Sequence, residues 1–309
     1  MIVTLTPNPS IDRTVTTTRL AAGEVNRASS VRVDPGGKGV NVSRALHLNG
    51  HETLAVLPLG GPNGQSHRRL LDEAAVPHIA VPCGGDTRTN ITVVDADGTT
   101  TKINEPGPPL SGDVLDALVA ALPPTADWVV LCGSLPTGVD AGWLADVVAA
   151  APRKVVVDTS GAPLAAAVAR RPYLIKPNRG ELEELVGRPL PTVGDVTRAA
   201  EDLIADGVGV VVASLGGDGA LWVSDAGVWL ASSTVERPLS SVGAGDCLLA
   251  GLLAALDDGA SPAVALTQGV TWGAAAVSLP GSVVPGPADL AGRLVTCIHD
   301  PEPTIQLND

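Results

Sequence analysis

The stretch Trp128–Ser134, WVVLCGS, is an apolar run, β-branched at its centre, closed by a glycine and a hydroxyl. A strand buried on both faces needs such an unbroken run. The pattern recurs along the chain. Val155–Val157 leads into Asp158-Thr159-Ser160, Leu174-Ile175 into Lys176-Pro177-Asn178, and Val210–Ala213 into Ser214-Leu215-Gly216-Gly217. Helix-length spacers separate the runs, which permits parallel crossovers. The expected fold is therefore α/β, a central and mostly parallel sheet flanked by helices. Its polar and glycine residues collect after the strands, at the carboxyl edge where open parallel sheets bind ligands.

The N-terminal third differs. Thr14–Thr18, and the pair Asn90–Asp95 and Thr99–Ile103 joined across Asp95-Ala96-Asp97-Gly98, read as thin strands and a hairpin. Their Thr-rich alternation buries one face at most. A small β-sheet standing off the body is expected, with segments of about 12–35 and 88–105 inserted into one domain spanning 1–309. It could act as a lid pivoting at Gly36-Gly37, and an ordinary edge hairpin explains the same pattern. The tail beyond Cys297, where Pro and acid alternate, is expected to be loose.

Bulk properties narrow the class. A chain of 309 residues can bury roughly three quarters of its unfolded surface, so no crosslink is required. With no Phe, one Tyr and one Met, the core must come from Val, Leu, Ile and Ala. A net charge of −13 argues against nucleic acid or an anionic membrane as partner, so any bound anion needs a local basic site. Cys83, Cys132, Cys247 and Cys297 show no C-x-x-C spacing, MIVTLTPNP lacks the basic segment of a secretion signal, and a reduced cytoplasmic location is expected. The longest apolar runs fall short of the roughly 20 residues that cross a bilayer.

The residues suited to chemistry form several clusters. In SVGAGDCLLAG (Ser241–Gly251) a glycine turn precedes an apolar run. If Gly243, Ala244 and Gly245 open a helix near Asp246, their amides and the helix dipole make an anion cradle. Asp246 could then take a proton from an attacking hydroxyl, or it could simply cap the helix. Asp34–Val42 (DPGGKGVNV) offers bare backbone at Gly36 and Gly37, a point charge at Lys38 and an amide at Asn41. It is not a Walker A loop, because Gly is missing at Arg32 and Ser or Thr at Gly39. A tight turn explains it equally.

Asp12 could accept sugar hydroxyls or be an exposed turn acid. Arg27 and Arg88 could clamp a phosphate or be solvated surface charges. Asn178 and Glu181 share a helix face and could steer hydrated magnesium, and a capping box accounts for the same spacing. Ser214, Leu215, Gly216, Gly217, Asp218 and Gly219 could bring backbone against a nucleotide or form a hairpin turn.

Together these segments resemble the ribokinase-like sugar kinases of the phosphofructokinase B family, over essentially the whole chain. The resemblance rests on TPNPSID (Thr6–Asp12), PGGKGVNVSRAL (Pro35–Leu46), TRTN (Thr87–Asn90), GSLPTGV (Gly133–Val139), IKPNRGELEEL (Ile175–Leu185), SLGGDGALW (Ser214–Trp222) and SVGAGDCLLAG. GEVNR (Gly23–Arg27) with GGKG is most similar to members that use fructose 1-phosphate.

The resemblance implies ATP-dependent phosphorylation of fructose 1-phosphate at O6, with tagatose 6-phosphate as competing substrate and a non-catalytic sugar-phosphate binder as the rival class. It implies Asp246 as base and Gly243, Ala244 and Gly245 as anion hole. Asp12, Gly36, Gly37 and Asn41 would hold the sugar. Lys38, Arg88, Arg27 and Ser134 would receive its phosphate. ATP would lie along Ser214–Gly219 near Asn178, Glu181 would act on Mg2+ through water, and the lid could pair two subunits. Two positions depart from the family pattern. Cys132 stands where serine precedes Gly-Ser, and Cys247 stands where serine is common and is expected to pack.

Overall fold

The computed structural model describes residues 1–151 and 154–308. Its strands are β1 (Ile2–Leu5), β2 (Ser10–Thr16), β3 (Ser30–Gly36), β4 (Thr53–Leu59), β5 (His78–Pro82), β6 (Arg88–Val94), β7 (Thr100–Asn104), β8 (Trp128–Cys132), β9 (Lys154–Asp158), β10 (Leu174–Ile175), β11 (Val210–Ser214), β12 (Ala220–Ser224), β13 (Gly227–Ser232) and β14 (Thr296–His299). Among these residues they form a ten-stranded sheet, ordered β14-β13-β12-β11-β10-β9-β8-β1-β4-β5, and a four-stranded sheet, ordered β3-β2-β6-β7.

From β11 to β5 the large sheet is parallel, and β12, β13 and β14 extend it antiparallel. WVVLCGS supplies β8, next to β1 near the centre. Its alternation divides the core: Val129 and Leu131 pack with the helices Ala141–Ala150 and Val193–Ala205, while Trp128, Val130 and Cys132 pack with Ala244–Asp257 and Pro262–Val277. The helix Ala244–Asp257 is apolar almost all round, as a helix enclosed on every side must be, and Asp246–Ala255 are all buried. No helix among the described residues is long and apolar enough to cross a membrane.

Because its central strands are parallel, the large sheet delivers their carboxyl ends to one edge. Thr6–Asn8 follow β1, Gly133-Ser134 follow β8, Asp158 ends β9, Lys176–Asn178 follow β10 and Ser214 ends β11. The small sheet stands beside that edge. β2 pairs β3 antiparallel and β6 parallel, opposing Asp12 to Asp34 and to Asn90, so these three side chains share one face. Val31, Val33 and Ile103 lie on the other face and are exposed.

Two expectations need correction. The first thin strand begins at Ser10 and ends at Thr16, so Asp12 is a strand residue and not an exposed turn acid. The tail is ordered. β14 pairs with β13, Val193 N–H donates to Ile305 O (3.0 Å), and Leu307 N–H donates to Pro191 O (2.9 Å). Alternating Pro and acid signals looseness only when the backbone finds no partner, and here the helix start near Thr192 supplies acceptors and donors.

Candidate active site

The helix Ala244–Asp257 starts from Gly243, whose φ of 76° lies in the left-handed region that a side chain disfavours. Its first intrahelical bond runs from Cys247 N–H to Gly243 O, leaving the Gly245 and Asp246 amides without a helical acceptor. Asp246 does not cap the helix; no side-chain cap bond forms there. Its Oδ2 instead accepts from Asn41 Nδ2 at 2.9 Å. Asp246 is 7 % exposed, and a buried acid with no capping duty calls for a chemical role. Burial, and then the charge of Asp158, push its pKa up to about 6, against Lys38, the Asn41 hydrogen bond and Lys176.

Beside it lies an ion cluster that the sequence did not single out. Asp158 is fully buried between Lys38 Nζ (2.8 Å) and Lys176 Nζ (3.1 Å). Burial would raise the Asp158 pKa, but the two ammonium groups outweigh it and hold the carboxyl below its usual range. Burial would likewise lower Lys38, but Asp158, Asp246 and Glu181 keep it above the ordinary lysine value. Lys176 is 4 % exposed, and its Nζ would lie 3.5 Å from a Cβ placed on Gly245. Two cations thus converge on Asp158, one of them beside the start of this helix. The only sign of Lys176 and Asp158 was their position at strand ends.

Asp12 accepts from Ser10 Oγ (2.7 Å) and Asn90 Nδ2 (3.3 Å), and a Cβ on Gly36 would overlap its carboxylate. Gly36 is therefore glycine because Asp12 lies against it. His67 Nε2 lies 3.0 Å from Gly36 O, and burial pushes the ring's pKa down to about 4, so it is neutral and donates. Gly37 precedes the helix Lys38–Leu48, which presents Lys38 and Asn41 one turn apart. Arg88 spends one N–H on Glu105 O (2.9 Å) and one on Asn8 O (3.1 Å); Asn8 Nδ2 donates to Ser134 Oγ (3.3 Å). Asn8, which the motif reading left without a role, thus joins Arg88 to Ser134.

Two sequence candidates are not brought in. Arg27 is exposed on the loop between β2 and β3, and its bond is a backbone one, Thr17 Oγ1 donating to Arg27 O at 3.2 Å. Leu215 is 5 % exposed and packs in the core. Its buried side chain leaves only its backbone to face a nucleotide. Cys247 packs in the core as expected, and Cys132 is buried at the end of β8.

A cavity of about 890 Å³ runs from Gly216–Gly219 to the helix start at Ala244 and Gly245, with Asn178 and Ser214 on its wall. Gly216–Asp218 is a 3₁₀ turn inside the β11–β12 hairpin, so the turn explanation holds and the same turn lines the cavity. Asp218 holds the tail, its carboxylate accepting from Asn308 N–H (2.7 Å) and Nδ2 (2.6 Å), which places Ile305 and Leu307 on the cavity wall. Asn178 and Glu181 form the capping box: Glu181 N–H donates to Asn178 Oδ1 and Asn178 N–H to Glu181 Oε2, both at 2.8 Å. Glu181 Oε1 remains 3.8 Å from Lys38 Nζ. Among the described residues no three His, Cys, Asp or Glu side chains are grouped to hold a metal by themselves.

A buried acid in the first turn of a helix whose free amides close one end of a nucleotide-sized cavity, with two lysines alongside, suits phosphoryl transfer. Comparison with known proteins agrees. The chain is 43% identical over 270 residues to the 1-phosphofructokinase of Xanthomonas campestris, covering 84% of this chain and 85% of that protein. It is 37% identical to the 1-phosphofructokinase of Rhodobacter capsulatus, covering 96% of each. The phosphofructokinase-2 of Escherichia coli, solved in complex with substrates and products, superposes with a TM-score of 0.89 at 34% identity, over 94% of this chain and 96% of that one. Residues 6–289 match the model of the pfkB family carbohydrate kinases, and to that family the chain belongs.

Proposed function

We propose that the protein transfers the γ-phosphoryl group of ATP to O6 of fructose 1-phosphate, giving fructose 1,6-bisphosphate and ADP. The observation that carries this is Asp246, buried beside the open amides of Gly245 and Asp246 where the large cavity ends. The two relatives named 1-phosphofructokinase support the sugar assignment.

Asp246 accepts the O6 proton as O6 attacks the γ-phosphorus and the bond to the β-phosphate oxygen breaks, its electrons leaving with ADP. The amides of the Gly243–Gly245 turn, with Lys176, stabilise charge on the transferred oxygens. Asp12, Asn41 and the backbone at Gly36 and Gly37 hold the sugar hydroxyls. Arg88, Ser134 and Lys38 receive the 1-phosphate, and Arg27 joins them only if the loop between β2 and β3 moves inward. ATP occupies the cavity, its base toward Ile305 and Leu307 and its phosphates toward Gly245. Mg2+ keeps most of its waters and prefers one or two carboxylates plus substrate phosphates, which suits the Glu181 oxygen left outside the capping box. When bound it neutralises phosphate charge.

The four-stranded sheet is read as a lid, with Asp12 and Asn90 on its inner face. Its exposed apolar side at Val31, Val33 and Ile103 suits pairing with a second subunit.

The test is ADP release with fructose 1-phosphate, tagatose 6-phosphate and fructose 6-phosphate at equal concentration. Fructose 1-phosphate should give the highest kcat/KM. A higher value with either competitor would reassign the substrate, and no turnover with any of the three would favour a binding protein.

A further inference from the structure

Arg44 is buried one turn beyond Asn41, and neither the sequence motifs nor the proposed chemistry gives it a task. Its Nη1 donates to Asn41 Oδ1 (3.1 Å), Ser282 O (3.2 Å) and Pro35 O (3.3 Å), and its Nη2 lies 3.6 Å from Asp34 Oδ1. Asp34 and Pro35 belong to β3 of the small sheet, and Asn41 is the hydrogen-bond donor to Asp246.

A guanidinium can only donate, whereas an asparagine amide presents a donor at one end and an acceptor at the other. Arg44 therefore accepts only one orientation of Asn41, with Oδ1 toward itself. The NH₂ end is thereby directed at Asp246. With the amide turned over, Oδ1 would face Asp246 Oδ2, setting acceptor against acceptor beside a buried carboxylate.

Resting on the reading of Asp246 as base, we infer that Arg44 is a positioning residue. It fixes the Asn41 amide so that it donates to Asp246, and it anchors that orientation to strand β3 of the small sheet. A shift of β3 on sugar binding would move Pro35 and Asp34, the β3 partners of Arg44, and with them the side chain that orients Asn41. The other charged or titratable groups around Asp246 are Lys38 on the same helix as Asn41, Asp158 at the end of β9, Lys176 after β10, and the buried thiols Cys132 and Cys247. None of them contacts the amide oxygen of Asn41 among the described hydrogen bonds, so none duplicates Arg44.

The test compares R44M and R44K with wild type and D246N, each checked for a cooperative thermal transition and for ATP binding. Loss of Arg44 still leaves Asp34 its paired bonds from Arg32 (2.7 and 2.8 Å), which favours folding of R44M. In R44M kcat should fall about tenfold or more, the scale of one hydrogen bond to a charged group. Its acidic limb should move up by about half a pH unit or more, with the KM for ATP unchanged. R44K should recover part of both and carries the test if R44M does not fold. Wild-type kcat and pH limb in folded R44M, or in R44K where R44M does not fold, alongside an inactive D246N, would overturn the role of Arg44 alone. Full activity in D246N would instead overturn the base assignment.

Discussion

Asn41 and Asp246 lie 205 positions apart in the chain, yet the amide of one donates to the carboxylate of the other at 2.9 Å. That contact joins the glycine-rich start of one helix to the glycine-rich start of another and puts a residue proposed to hold the sugar against the proposed base.

A pH dependence follows. The base must be ionised to accept the O6 proton, and burial with Asp158 nearby raises Asp246 to about 6. The log of kcat should therefore be flat above about pH 7 and fall with unit slope below pH 6. Steady-state rates from pH 5 to 8 with saturating substrates would check this. A flat profile down to pH 5 would contradict it.

The same burial costs stability. A carboxyl whose folded pKa lies above its unfolded one favours folding when protonated, so the penalty is absent below about pH 4 and complete above pH 6. D246N removes it, and the variant should be more stable than wild type at pH 7.5, by on the order of 1–3 kcal/mol. Denaturant unfolding at pH 7.5 and pH 4 would show the gain at the higher pH only.

Gly36 leaves room for the Asp12 carboxylate. In G36A the added methyl must displace Asp12, so the KM for the sugar phosphate should rise about tenfold, the cost of one hydrogen bond to a charge, with the KM for ATP little changed. Initial-rate kinetics varying each substrate would separate the two.

Leu307 lines the cavity from a tail that Asn308 pins to Asp218. L307A should raise the KM for ATP a few-fold, consistent with loss of about 1 kcal/mol of apolar contact, and leave sugar affinity intact. Calorimetric titration with a non-hydrolysable ATP analogue would measure it.

The strands β8, β9, β10 and β11 were legible because each is a short unbroken apolar run closed by a glycine or polar residue, a pattern that local chemistry produces directly. The clusters at Gly36–Asn41, Asn178–Glu181, Ser214–Gly219 and Gly243–Asp246 were legible for the same reason. Lys176, Asp158 and His67 were not, since each acts through partners distant in sequence, and Arg44 was not because its burial against Ser282 and β3 leaves no local signature. The tail misled because Pro-Glu-Pro looks mobile until Thr192 and Asp218 are known to meet it. Leu215 enters the Ser214–Gly219 motif through its backbone, which closes the turn, while its side chain is buried in the core.

The role proposed for Asp246, taking the proton from the sugar hydroxyl, stands or falls on turnover by D246N. Its kcat should be lower by about 10² to 10⁴-fold, with dissociation constants for ATP and fructose 1-phosphate within a few-fold of wild type. A folded D246N enzyme that binds both substrates and turns over at the wild-type rate would contradict it.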